Sequence, residues 1–192
     1  LKAGDRLPLG ETRRSVRLQA DRPPAPSART WGPPLGGPLI GLKAEPAGGL
    51  MATVRVLSGP HHERFAAAAL DALQSAPYVI GHNSDRMGFR LEGPMLAPAG
   101  LADTAADFIS DATPFGSLQV PASGKPIVLM ADRQTAGGYP IIATVITADI
   151  SLAGQLGPGD ALSFVVCQRR EAIAALAAQE RALLAMESEA AP

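Results

Sequence analysis

Nine consecutive residues, Asp132-Arg133-Gln134-Thr135-Ala136-Gly137-Gly138-Tyr139-Pro140, bring together an acid, a guanidinium, a carboxamide, a hydroxyl, two glycines and a phenol. Apolar runs flank them, Ile127 to Met130 before and Ile141 to Ile146 after. A polar loop held between two buried strands is where a rigid scaffold presents functional groups. Asp132, at a strand end, can orient an amide N–H, accept a proton or pair with an arginine. Gln134 and Thr135 both donate and accept, which suits an amide or carboxylate ligand, or simply caps the loop. Gly137 and Gly138 predict positive φ and close backbone approach, as a small anion nest or as a plain tight turn. Tyr139 either presents its phenol to the site or packs across the barrel mouth. Asp132 and Tyr139 are the candidate catalytic residues.

A second polar segment, Ser84-Asp85-Arg86-Met87-Gly88-Phe89-Arg90-Leu91, supplies Arg86 and Arg90. An arginine binds carboxylate or phosphate with two parallel hydrogen bonds. Asp85 offers either arginine a structural partner instead. A third segment, Gly116 to Pro126, contains Gln119 between Leu118 and Val120. A carboxamide in an apolar strand needs partners inside the barrel or at the site. The candidate substrate-binding set is therefore Arg86, Arg90, Gln119, Gln134, Thr135, Gly137 and Gly138. Lys125 is read as a further positive charge near these groups. The expected arrangement is one concave surface at a barrel end.

His61-His62-Glu63 lacks the spacing of a metal-binding helix, and Cys167 is the single cysteine, so no metal site is expected. The two histidines are read as caps of the following helix or as an inter-domain surface. Cys167 ends an apolar run and is read as a packing residue.

The elements that must position these groups are short. Strands are predicted at Thr53 to Leu57, Tyr78 to Ile80, Gly88 to Leu91, Phe108-Ile109, Ser117 to Val120, Pro126 to Ala131, Ile141 to Thr147 and Ala161 to Cys167. A helix is predicted from His62 to Gln74, because Phe65, Ala69 and Leu73 recur at i, i+4 and i+8. Pro77 ends it. A second covers 169–188, with Ile173, Leu176, Leu183 and Leu184 towards one side. Residues 21–50 hold seven prolines and six glycines, which excludes a regular helix or a central strand there. Trp31 is read as the packing anchor of that stretch. Many short strands and two flanking helices place the chain in the mainly β class, as a closed or nearly closed barrel.

Composition narrows the functions. With 46% hydrophobic and 18% charged residues, the chain has the balance of a globular domain. A net charge of -1 gives no reason to expect nucleic acid as a partner. Apolar runs are too short to expect a membrane span. A lone cysteine fits a reducing, cytoplasmic setting. The sequence contains no P-loop, dinucleotide fingerprint or serine-nucleophile motif.

Four ordered motifs, Gly59-Pro60-His61-His62-Glu63-Arg64-Phe65, Ser84 to Leu91, Gly116 to Pro126 and Asp132 to Pro140, resemble the allophanate hydrolase subunit 2, or biotin-dependent carboxyltransferase-like, family. The family includes the C component of 5-oxoprolinase, the Kip regulator and part of urea carboxylase. The resemblance implies a cyclophilin-like barrel. It implies a subunit in ATP-dependent hydrolysis of 5-oxoproline, a small cyclic amide, to glutamate. ATP would be shared with partners, a companion Kip-inhibitor-like subunit and a large oxoprolinase subunit. Carboxyl transfer to urea or another amide, and regulation through protein contact, are the alternatives. There is no biotin attachment motif in the chain. Residues 1–10 resemble the end of a preceding domain, 11–50 a Pro/Gly-rich linker, and 51–192 the barrel domain with its terminal helix, so the chain resembles the second half of a family member. Ala136 replaces a second threonine usual in the family, and Ile141 a frequent Lys or Arg.

Overall fold

The computed structural model describes residues 41–44, 49–96 and 109–190, without the side chains of 186–190. Residues 1–40 with Trp31, and Phe108 of one predicted strand, lie outside the described residues.

The longest strand is β2 (Leu50–Ser58). Its Ala52, Val54 and Val56 are fully buried, while the residues between them are only half-buried. That is the period-two pattern of a strand with one face in a core. β10 (Ala161–Val166) repeats it, burying Leu162 and Phe164, and pairs with β2 in parallel. The remaining strands are β1 (Gly41–Ala44), β3 (Tyr78–Ile80), β4 (Gly88–Glu92), β5 (Asp111–Ala112), β6 (Ser117–Gln119), β7 (Ile127–Leu129), β8 (Ala136–Gly137) and β9 (Ile141–Val145). Hydrogen-bonded neighbours run β2-β10-β3-β4-β7-β6-β9, and β9 returns to β2. The result is a closed seven-stranded mixed barrel, the cyclophilin-like barrel implied above. β1 extends the sheet beyond β2, so a strand forms inside the stretch read as a linker. It is an edge strand, the one strand type that such a Pro/Gly-rich stretch tolerates. β5 and β8 form a separate two-stranded ribbon.

Closure depends on a change of partner along β2. Its first half pairs with β1, then Val56, Leu57 and Ser58 pair with Val145, Thr144 and Ala143 of β9. An ion pair between the half-buried Arg55 and the buried Asp149 sits at that seam. The Arg55 Nε and Nη2 atoms donate to the two Asp149 oxygens at 2.9 and 2.7 Å, and the Arg55 amide adds a third bond at 2.8 Å. The Asp149 hydrogen bond raises the guanidinium pKa above its ordinary value, although burial opposes it.

Four predicted elements differ. The predicted helix of 62–74 is a 3-10 turn at His62–Arg64 and then α1 (Ala69–Ser75), because Phe65 takes an extended conformation at φ -104°, ψ 159°. Phe65, Ala69 and Leu73 are nonetheless all buried, so the apolar spacing serves packing without a continuous helix. Ala76 is extended before Pro77, as the proline ring requires. β9 stops at Val145, and a 3-10 turn (Thr147–Asp149) leads into a third helix, α2 (Ile150–Ala153). The terminal helix α3 (Arg169–Ala190) begins with Glu171 accepting the Gln168 amide at 2.6 Å, a reciprocal capping contact. Its predicted apolar side is not buried: Ile173, Leu183 and Leu184 are exposed and Leu176 is half-buried. Ala175 is buried instead, where the first turns pack on the 3-10 turn before α2. Ile109 is also exposed and outside any strand, while the predicted strand's role passes to β5 at Asp111. Cys167 lies just past β10 and is half-buried, and burial raises its thiol pKa.

Among the described residues two buried side-chain groups lack a hydrogen-bond partner, and the first is in the core. Tyr78 is fully buried with its ring edge-on to Phe164 at 5.7 Å, but its hydroxyl has no hydrogen-bond partner, and burial pushes its pKa up to about 12. Tyr78→Phe keeps the ring and removes the orphaned hydroxyl. A gain of about 1 kcal/mol in urea denaturation is expected, the low end of the cost of an unsatisfied buried group. A loss of stability would show that the hydroxyl has a partner in solution.

Candidate functional site

The loop from Ala131 to Pro140 has to reverse direction. β7 and β9 are both antiparallel to β6, so they run parallel to each other. The connection between them must therefore travel back along β6. It begins where the Gly116 amide donates to Leu129 O at 2.9 Å and ends where the Val120 amide donates to Pro140 O at 3.0 Å. The polar motif accordingly lies along the length of β6 and is not gathered at one barrel end. Ile141, Ile142 and Ala143 are buried in succession, and the Gly59 to His61 segment lies against them.

The second and third motifs touch this loop, and the first meets the strand that follows it. From the second, Arg86 donates Nε and Nη2 to the two Asp132 oxygens at 2.7 and 3.0 Å. The Asp132 amide donates to Arg86 O at 2.9 Å. The pair is exposed, and the arginine's hydrogen bond holds the Asp132 carboxyl below its ordinary range. Asp132 and Arg86 thus form an exposed two-pronged ion pair, and the guanidinium favours the ionised carboxylate. Arg90 turns away: its Nε donates to Asn83 O at 3.1 Å, and its amide to Ser84 Oγ at 2.9 Å. Asp85 accepts the Met87 and Gly88 amides, so it shapes the turn and pairs with neither arginine.

From the third motif, Gln119 is 1% exposed and accepts the Gln134 Nε2 at 3.2 Å through its Oε1. The Gln119 Nε2 has no partner and is fully buried. It lies under Gly137, where a Cβ would stand 2.5 Å from it. Neither Gly137 nor Gly138 has a positive φ, contrary to the prediction, and Tyr139-Pro140 is trans. Gly137 is required by space and not by dihedral angle. Gly137→Ala is expected to displace the Gln119 carboxamide and cost about 1–3 kcal/mol, the usual range for overpacking. A thermal melt reads this, and an unchanged midpoint would show that Gln119 does not pack beneath Gly137.

Two residues with no mark in the sequence organise the loop. Thr113 is buried: its hydroxyl donates to Gln134 O, its amide to Thr135 O at 3.0 Å, and its carbonyl accepts Arg133 Nε at 2.8 Å. Arg133 also lies over the Phe115 ring at 5.5 Å. Asp111 pairs in register with Gly137 across β5 and β8 and lies 3.3 Å from His61 Nε2. From the first motif, His61 accepts the Ile141 amide at 3.1 Å through Nδ1, and His62 Nδ1 lies 2.8 Å from Gly59 O. Neither histidine makes a side-chain cap of the 3-10 turn. Short polar residues ahead of a Pro-Phe-Gly turn are a weak signal, and only the fold reveals Thr113 and Asp111. Thr135, Ala136 and Tyr139 are exposed. Lys125 pairs with Glu92 at 2.5 Å, so its charge does not serve the loop.

The chain matches the carboxyltransferase domain, subdomain A and B, over residues 1–166. It belongs to that family. It is 35% identical over 182 residues to the C component of 5-oxoprolinase from Escherichia coli K12, covering 94% of this chain and 50% of that protein. A putative urea carboxylase of Emericella nidulans is 29% identical over 131 residues, 65% of this chain and 10% of that one. The crystal structure of Kluyveromyces lactis urea carboxylase superposes with a TM-score of 0.58 at 24% identity, over 62% of this chain and 11% of that chain, which shows a shared fold. The chain spans about half the length of the Escherichia coli relative, so the barrel carries part of the family's architecture. Among the described residues, no group of three or more His, Cys, Asp or Glu is disposed to hold a metal ion, and no helix is long and apolar enough to cross a membrane.

Proposed function

We propose that this chain is the barrel half of a protein like the C component of 5-oxoprolinase, acting with partner subunits in ATP-dependent hydrolysis of 5-oxoproline to glutamate. The observation that carries the reading is the buried, unpartnered Gln119 Nε2 beneath Gly137, next to Gln134. A buried donor without an acceptor is costly unless a ligand oxygen meets it. A lactam carbonyl supplies such an oxygen once the Gly137 segment moves aside, because the loop closes this donor off from solvent. Arg86, held by Asp132, offers its remaining N–H donors to the substrate carboxylate. Gln134, Thr135 and Tyr139, on the same loop, are exposed. In the net reaction one water adds to the ring carbonyl carbon, the ring C–N bond breaks and the nitrogen takes a proton from that water to become the amine of glutamate, while a second water would cleave ATP to ADP and phosphate.

The similarity to the Escherichia coli 5-oxoprolinase component supports this assignment over the others. ATP, for which the sequence carries no P-loop, is assigned to a site shared with the partners, a companion Kip-inhibitor-like subunit and a large oxoprolinase subunit, in the cytoplasm. The urea carboxylase similarity supports carboxyl transfer to an amide as a second reading, with biotin arriving on another chain. The deciding experiment assays the full protein with its co-encoded partners. Glutamate formation from 5-oxoproline that requires ATP supports the proposal. Biotin- and bicarbonate-dependent carboxylation of urea, without 5-oxoproline turnover, would replace it with the second reading. Absence of both activities would leave a role in protein contact.

A further inference from the structure

His61 belongs to the first motif, which the proposed reaction does not use. A backbone amide can only donate, so the Nδ1 that receives Ile141 N–H must be the bare nitrogen of a neutral ring. The ring proton then sits on Nε2, the atom 3.3 Å from Asp111 Oδ2. Asp111 is the register partner of Gly137, and Ile141 follows Pro140 directly. One imidazole therefore reaches the ribbon beside Gly137 and the amide that ends the loop.

The approach is enforced by the backbone. The Gly59 amide donates to Ile142 O at 2.7 Å, and the His61 amide to Ile141 O at 3.2 Å. A Cβ at Gly59 would fall 2.8 Å from both Ala143 N and Ile142 C, so glycine is what lets this segment lie against β9. The His61 side chain is only 15% exposed.

We propose that His61 is a positioning residue whose neutral, Nε2-protonated ring fixes both ends of the Gly137-Gly138-Tyr139-Pro140 segment, and that protonation of Nδ1 releases the Ile141 end. The inference rests on that loop being the substrate-contacting segment. The charges that face the ring oppose one another: burial lowers its pKa most, Asp111 on β5 raises it, and Arg64 on the 3-10 turn lowers it. The net direction is below the ordinary histidine value, which keeps the ring neutral near pH 7.

The test uses the full protein with 15N-labelled histidine and amide hydrogen exchange. The expected spectrum has His61 as the Nε2–H tautomer, titrating below the ordinary histidine value, with the Ile141 amide shift following the same titration. In His61→Ala, exchange at Gly138, Tyr139 and Ile141 should accelerate about tenfold, the scale of one lost hydrogen bond, with the rest of the barrel unchanged. His61→Asn keeps an acceptor near the Nδ1 position and should restore Ile141 protection. In the assembled complex, His61→Ala should raise KM for 5-oxoproline about tenfold while kcat changes less, and His61→Asn should recover most of that loss. An Nδ1–H tautomer, unchanged exchange, or acceleration spread evenly over the barrel would overturn the proposal. If the complex does not open 5-oxoproline, the functional reading fails, while the tautomer and exchange data still decide the role of His61.

Discussion

Asp132→Asn should lower kcat/KM for 5-oxoproline in the assembled complex by about 10²-fold, the scale of a misplaced binding group. The substitution keeps volume and removes charge. It breaks the two-pronged contact that holds Arg86, leaving the guanidinium to swing on an exposed side chain. Because the pair is exposed, the melting midpoint should stay where it is. The loss should fall mainly on KM, since the carboxylate's two-pronged contact orients Arg86. Arg86→Lys should give a smaller loss of the same kind, a point charge replacing a fork. Turnover that survives both changes would move the site to the Gln119 and Gln134 end of the loop. A large fall in melting temperature would instead mark the pair as structural.

Asp149→Ala should cost about 3 kcal/mol, the low end of the penalty for breaking a buried ion pair, because the half-buried Arg55 keeps some contact with water. Asp149 is 2% exposed and accepts three hydrogen bonds from Arg55, two from the guanidinium and one from the amide. All three donors would be stranded at the β2–β9 seam, beside the bond from Ile146 N to Arg55 O at 3.0 Å. Chemical denaturation of the purified protein measures the change. Replacing both residues, Arg55→Met with Asp149→Leu, should recover much of the loss, because no buried charge then lacks a partner. A cost below about 1 kcal/mol for the single change would place this pair with surface ion pairs and remove it from the account of closure.

These two pairs show where sequence and tertiary structure divide. The period-two burial of β2 and β10 and the apolar runs around the loop are local signals, so the mainly β class and most strands are legible. The three-residue strand β3 is placed to the residue because Pro77 and Gly81 bracket it. The polar loop is legible as the chemically rich segment, and its likeness to a family locates the motifs that meet it. Partner choice is not legible. Arg86 and Arg90 look alike along the chain, yet only Arg86 reaches Asp132, because strand register sets which way each side chain is carried. Gly137 reads as a dihedral requirement and is a spatial one, since the Gln119 carboxamide arrives from another strand. Thr113, Asp111 and the His61 contact with Ile141 join residues 20 to 80 positions apart. Composition and spacing dictate which local elements form and which face each buries. Closing the barrel decides which distant side chains meet, because only then are strand order, register and the path of the loop along β6 fixed.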